Sequence, residues 1–503
     1  MNAYLIFMGG TGARCAEAFI HLAAGGYMDT GKHYHILLID PDNGNGNVNR
    51  FLNAYNAYTK IHNSIEAKPP SNQFRAQISC YVWNLGIESG TTVRNFLHID
   101  ARNYDPEFTD FLNLYVEDKD LDSRLDVGFL GRPNIGAVVT EYAFRRELSE
   151  RRDDSSLVKF IRVINADISN DEVNKICVFG SIFGGTGASS IPLIPDFIRR
   201  GILKLNDHKP GFAIPQAAWG KMHFMANILA PYFKTGGETP EFDQRAQIAL
   251  ATYRDNKMLD QFKAVSIIGS QHRKQTNQEY VDGAASQMNA HTPIELFSVL
   301  VAIDFIDRNI IPDPQKKFYV SKRNDERSIT WNDVPVCLDG DGANVPLRIN
   351  RLKLCLVEGF ATHLLVQYIF DNYADIRDKM KLSWFRNDIG QWDKNSEIFS
   401  ALRDYFYAVS ECKESYMNWV RELHTPGDGL QLSLIAVDGT ARNSLIGLDP
   451  DIRLKGKEEI SKMIIKMTTI SANKGLTGKK GMHNLPYLIF KAVDEYVKGF
   501  LKN

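Results

Sequence analysis

Between Ile176 and Pro192 the chain passes from an unbroken apolar run, Ile176-Cys177-Val178-Phe179, through a glycine-rich turn, Gly180-Ser181-Ile182-Phe183-Gly184-Gly185-Thr186-Gly187, to Ala188-Ser189-Ser190. A continuous apolar run of this kind is a strand buried on both faces, as in a parallel sheet covered by helices. Ser189 and Ser190 are good helix caps and Pro192 suits a first helical turn, so a helix is expected to begin there. Glycines let the backbone aim its N–H groups at an anion without obstruction by a β-carbon. The helix N-terminus adds partial positive charge, so the turn reads as a phosphate cradle with Thr186 as an extra hydroxyl donor. Glycine-rich strand-to-helix turns also arise from tight packing alone, and both readings stand at this point. The turn has no lysine where a P-loop needs one, which excludes a Walker A site.

The same grammar recurs elsewhere. Phe7-Met8-Gly9-Gly10-Thr11-Gly12-Ala13-Arg14 is a second strand–glycine–helix junction, without the GxGxxG spacing of a dinucleotide fingerprint. Gly128-Phe129-Leu130-Gly131-Arg132-Pro133-Asn134-Ile135-Gly136 is a third glycine turn, joining an apolar stretch to a helical one, with Arg132 placed either to neutralise phosphate or simply to be solvated. Ile39-Asp40-Pro41-Asp42 ends an apolar run with two carboxylates, suited to Mg²⁺ through water, to a ribose, or to capping a turn. Repetition of the junction on one sheet exceeds what packing requires and favours a nucleotide site.

Candidate strands Ala3–Phe7, His35–Ile39, Lys175–Gly180, His223–Leu229 and Ala264–Gly269 alternate with helical segments, the pattern of an α/β domain with a mostly parallel sheet. At 503 residues the chain has room for two or three domains, and 44% hydrophobic with 24% charged residues is ordinary for a globular protein. A formal net charge of −1 excludes a global electrostatic role toward nucleic acid or anionic membrane, though not a local patch. The 6 cysteines form no CxxC pair and no metal-ligand spacing, so a reduced, cytoplasmic setting is expected, and no signal peptide is expected ahead of the strand at Ala3–Phe7. Leu352 to Phe370 carries Glu358, His363 and Gln367, which marks a core helix rather than a membrane span. Leu347 to Leu423 reads as largely helical, and a last amphipathic helix near Pro486 to Leu501 reads as docked in the core.

In order and character these loops resemble those of the tubulin/FtsZ superfamily, and most of all its divergent prokaryotic tubulin-like group. The family's signature is GGGTGSG or GGGTGTG followed shortly by proline. Phe183-Gly184-Gly185-Thr186-Gly187-Ala188-Ser189 fits it with Phe183 and Ser189 in place of the first and last glycine, and Pro192 in register. The resemblance implies a Rossmann-like GTPase domain over residues 1–310, an inserted hairpin or linker over 311–345, and a helical or α+β assembly domain over 346–503. It further implies that Gly184, Gly185, Thr186 and Gly187, flanked by Phe183 and Ala188, wrap the phosphates of GTP or GDP. Gly9, Gly10, Thr11, Gly12, Ala13 and Arg14 match the first phosphate loop, and Asp40 and Asp42 sit at the second, near Mg²⁺. Gly131, Arg132, Pro133 and Asn134 match the third, GANPEVG-like loop facing the γ-phosphate, and Ala230-Pro231-Tyr232-Phe233 is similar to the KPF turn. Asn289, His291 and Glu295, at the start of the central helix, are either readers of the guanine edge or ordinary caps and polar surface.

In this family an acidic loop, NxDxxD, reaches the nucleotide of the neighbouring subunit, so the implied partner is a second copy, in a filament or a closed oligomer. Two segments match it in part: Asp304-Phe305-Ile306-Asp307 and Trp331-Asn332-Asp333-Val334. That makes Asp304, Asp307 and Asp333 the candidate catalytic acids, against the plain readings of a helix C-terminus and a strand end. A scaffold that holds nucleotide without turnover is the alternative. No nucleic-acid partner is expected, and a membrane role rests on analogy alone.

Overall fold

The computed structural model describes residues 1–42, 44–99, 116–129, 131–150, 154–170, 172–207, 216–236, 242–270, 274–279, 287–307, 318–321, 345–378, 382–407, 415–424, 435–437, 443–445, 456–472 and 480–500. Strands β1 (Asn2–Met8), β2 (His33–Ile39), β3 (Gln77–Trp83), β4 (Asn174–Ser181) and β5 (Met222–Leu229) lie in one sheet with β7 (Ala264–Ile268) and β9 (Phe318–Ser321). Strands β6 (Phe233–Gly236) and β8 (Lys274–Glu279) pair separately as a short ribbon. The main sheet has 7 strands in the order β3-β2-β1-β4-β5-β7-β9, and every pairing within it is parallel. This is an α/β, Rossmann-like sheet, as the alternating pattern predicts. Every strand expected from the sequence is present, with ends that differ by a residue or two.

Alternate residues of β1 feed two cores. Ala3, Leu5 and Phe7 face one side of the sheet; Tyr4, Ile6 and Met8 face the other. Both faces are covered, which is why the central strands read as continuous apolar runs rather than as an alternation. The Tyr4 side carries the helices Pro133–Ser149, Ser156–Ser169, Ile194–Asn206 and Phe242–Asp255. The Phe7 side carries α1 (Gly9–Ala24), α2 (Gly46–Ile65) and the central helix Pro293–Asp307.

The same face also takes up the C-terminal helices. Val345–Asp371 is 27 residues long, and Leu352, Leu356, Phe360, Leu365 and Ile369 along it are fully or almost fully buried. Its segment Arg351–Asp371 is long and apolar enough to cross a membrane, yet 72% of that window is buried inside the protein. The final helix, Leu485–Phe500, buries Leu488, Ile489, Ala492, Val493 and Val497, so its apolar stripe is spent on the core. Residues as far apart as Ala3 and Val497 share one apolar cluster, so in the core there is no break at residue 346.

Phe318–Ser321, expected as one arm of an inserted hairpin, instead extends the main sheet in parallel alongside β7. The rest of that segment, Asp333 included, lies outside the described residues.

Candidate functional site

Strands β2 and β3 lie to one side of β1, and β4, β5, β7 and β9 to the other. The winding direction therefore reverses between β1 and β4, and in open α/β sheets ligands bind beyond the carboxyl ends of strands at such a point. Two glycine turns leave the sheet there, Gly9–Gly12 after β1 and Gly184–Gly187 after β4. A β-carbon on Gly9 would lie 3.4 Å from the Thr186 Cβ, so the two turns touch. A β-carbon on Gly185 would lie 3.3 Å from the backbone nitrogens of Gly131 and Arg132, which places the third loop against the fourth. One on Gly10 would lie 3.1 Å from the side-chain nitrogens of both Asn45 and Asn47, which brings in the segment after Asp40 and Asp42. All four loops expected from the sequence thus meet at one place. Gly9, Gly10, Thr11, Gly131, Arg132, Pro133 and Gly184 are half-buried and Asn134 is exposed, while Gly12, Ala13 and Gly185 to Ala188 lie behind them.

Packing accounts for part of this glycine content. A β-carbon would meet Phe7 backbone at 2.8 Å from Gly12, the Ser181 carbonyl oxygen at 2.4 Å from Gly187, and Phe129 Cβ at 2.7 Å from Gly185. Gly9 (φ +70°) and Gly131 (φ +69°) occupy the left-handed region, where a side chain is strained. Gly10 differs, since a methyl there meets only side-chain amides. α1 starts with no side-chain bond from its N-cap residue Met8 and no acidic residue in its first turn, so among the described residues no side chain caps its leading N–H groups beside Gly10. The helix after β4 begins at Gly185, earlier than expected, so Ser189 and Ser190 sit inside it rather than capping it. Ser189 Oγ donates to the Thr186 carbonyl at 3.1 Å. Phe183 faces away from the cradle, with ring centroids 6.2 Å from Tyr232 and 5.6 Å from Phe233.

The charges around the loops divide into those with partners and those without. Arg132 Nη1 donates to Asp120 at 2.7 Å and Ser123 at 2.8 Å, which ties its guanidinium to the preceding loop. Asp42 accepts from the Gly44 N–H at 2.8 Å, and Asp40 Oδ1 accepts from the Asp42 N–H at 3.0 Å. Asp40 Oδ2 is buried with no hydrogen-bond partner among the described residues, and burial raises this carboxyl to about 7. Arg245, which sequence reasoning missed, lies on the helix Phe242–Asp255 with its Nη1 2.0 Å from where a Gly131 β-carbon would be. That Nη1 is also buried without a partner among the described residues. No signal in the local sequence marks it, because its place depends on how that helix packs over the third loop.

The base-reading candidates have other engagements. Glu295 is fully buried, with Oε1 accepting from Arg14 Nε at 2.9 Å and the Tyr232 hydroxyl at 2.7 Å. Its Oε2 accepts from the Thr292 N–H at 2.7 Å and the Thr292 hydroxyl at 2.6 Å, so the carboxylate is saturated. Burial opposes its ionisation, but Arg14, His291 and the hydrogen bonds from Thr292 and Tyr232 together outweigh it and hold the carboxyl below its ordinary value. Arg14 and Glu295 therefore pair with each other, fastening α1 to the central helix instead of facing a ligand. His291 is likewise buried, 2.9 Å from the Glu17 carboxylate. Asn289 does reach the loops: its N–H donates to Asn47 Oδ1 at 3.0 Å, beside a bond of 2.7 Å from Asn45 Nδ2 to Gln287.

Asp304 and Asp307 lie on the last turns of the central helix, which begins near Arg14 and runs toward the amino ends of the strands. Lys175, near the start of β4, donates from Nζ to the carbonyls of Phe305 and Ile306 at 3.0 Å each and so caps that end. Asp307 accepts from Lys32 Nζ at 3.0 Å, just before β2 begins, and Asp304 is 8% exposed. The helix has 15 residues, a length of ~22 Å at 1.5 Å per residue. The two acids are thus at the opposite end of the sheet from the glycine loops of the same chain. Among the described residues, no group of three or more His, Cys, Asp or Glu side chains is placed to hold a metal ion. In comparisons with known proteins, no family model, curated protein or solved structure matches this chain.

Proposed function

We propose that this chain is a tubulin/FtsZ-like protein that binds GTP at the four converging loops and self-assembles head to tail. The observation that carries the reading is the separation just described: open backbone donors gather at one end of the sheet, while Asp304 and Asp307 stand at the other. In a single chain these acids are out of reach of a phosphate held at Gly10. A second copy stacked end to end would bring its Asp304–Asp307 turn to the glycine loops of the first, which is the arrangement the family uses for hydrolysis. Within one chain, the open N–H groups of α1 and the turn at Gly184–Gly187 hold the phosphates, and Arg245 beside Gly131 neutralises them. Magnesium bound with the nucleotide would spread the charge of its phosphates. Asp40, with its orphan buried oxygen, and Asp42 are the residues that would hold its waters. Catalysis then rests on positioning and charge stabilisation.

Titration with GTP tests the binding half. Arg245→Gln is expected to weaken GTP binding about tenfold, the scale of one lost charge-assisted contact, with unfolding unchanged. Wild-type protein with no measurable GTP affinity ends the proposal. Phosphate release measured over a range of protein concentrations tests the assembly half, since a site completed in trans must give a specific activity that rises with concentration. A second reading, a nucleotide-holding scaffold without turnover, draws on the burial of Asp304 and the engagement of Asp307 by Lys32. A specific activity that stays near zero at every concentration selects it.

A further inference from the structure

The segment from Gln287 to Thr292 is gripped from two sides. In front, Asn45 Nδ2 donates to Gln287 Oε1 at 2.7 Å and the Asn289 N–H donates to Asn47 Oδ1 at 3.0 Å, which seats the segment against the asparagines that flank Gly10. Behind, the His291 N–H donates to Glu422 Oε2 at 2.8 Å. Glu422 belongs to the C-terminal helix Ser415–His424, whose Met417, Trp419, Val420 and Leu423 are buried. Its other oxygen accepts from Asn418 at 3.0 Å, and Arg50 Nη1 of α2 lies 3.8 Å from Oε2. Arg50 Nε also donates to Glu17 at 2.6 Å, and Glu17 in turn holds the His291 ring at 2.9 Å. A backbone segment with no regular structure of its own is therefore fixed by one carboxylate from α1 and another from a helix more than a hundred residues downstream.

We propose that Glu422 is a positioning residue of the nucleotide site, holding the 287–292 wall so that Asn45, Asn47 and Asn289 meet the nucleoside end of the ligand. This rests on the nucleotide reading above. Through Glu422 a C-terminal helix sets the affinity of the site for nucleotide. A ligand made of phosphates alone is held by the glycine turns and Arg245, and does not need that wall.

Affinities of wild-type protein, Glu422→Ala and Glu422→Gln for GTP, for GDP and for inorganic tripolyphosphate separate the roles. Glu422→Ala is expected to weaken GTP and GDP equally, about tenfold, the scale of one charge-assisted hydrogen bond, and to leave tripolyphosphate unchanged. Glu422→Gln keeps an oxygen for the His291 N–H and is expected to restore nucleotide binding. Equal losses for nucleotide and tripolyphosphate in Glu422→Ala, or no loss for either, overturn the positioning role while leaving the nucleotide reading intact. Wild-type protein that binds neither GTP nor tripolyphosphate overturns both.

Discussion

The two ends of the sheet treat helix termini in opposite ways. At the carboxyl end, α1 opens with no side-chain cap and no first-turn acid, and its donors face a half-buried surface around Gly9 and Gly10. At the amino end, the central helix closes with a lysine ammonium on two of its last carbonyls and an ion pair at its final residue. An unsatisfied helix end is costly unless something meets it. Where the fold needs only stability it supplies the partner itself, as Lys175 does. Where the donors carry no cap, the proposed function supplies a phosphate as their partner.

The contrast can be broken by substitution. The largest effect is expected at the pillar between the two ends: Glu295→Ala leaves the buried Arg14 guanidinium without its carboxylate, a loss of about 3–5 kcal/mol read as a lowered urea midpoint. Glu295→Ala protein that unfolds like wild type but loses GTP would return Glu295 to the ligand. Lys175→Met comes next. It strands the Phe305 and Ile306 carbonyls and is expected to cost about 2 kcal/mol, with GTP affinity unchanged. A matching fall in GTP affinity would mean that the capped end is not independent of the open one.

The smallest shift in a melting experiment at neutral pH or below is the most local. The Asp40 carboxyl titrates near 7 in the folded protein because of burial, against an ordinary value of 3.8. The folded state thus holds a proton that the unfolded state has released, and stability falls as pH rises from about 4 to about 7, then levels. Asp40→Asn removes that penalty, so its melting temperature should exceed the wild-type value by about 3 °C at pH 8 and match it at pH 4. Equal melting temperatures at both pH values would place a stabilising partner on Asp40.

The sequence made the inner strands and all four loops legible, because several of the strands run into Gly, Asp or Pro where the chain must turn. It hid β3, whose residues from Ser79 to Val82 are half-buried or exposed and whose Gln77 and Ser79 break the apolar run. It also misassigned the direction of Arg14 and Glu295. Each reads as a polar group near a loop, and only packing reveals that two buried charges a long way apart in the chain need each other. Arg245 and the asparagines at 45 and 47 were invisible for the same reason. Their meaning lies in what they approach, and no local pattern encodes it.

The shared apolar cluster that joins Ala3 to Val497 has a consequence for biosynthesis. During translation the Phe7 face of the sheet has α1, α2 and the central helix to cover it early, but the helices from Val345 onward arrive last. At about 5–20 residues per second, the half-covered sheet waits many seconds outside the ribosome with apolar surface exposed. The Phe7 face therefore gains the cover of Val345–Asp371 and Leu485–Phe500 only after the whole sheet has been made.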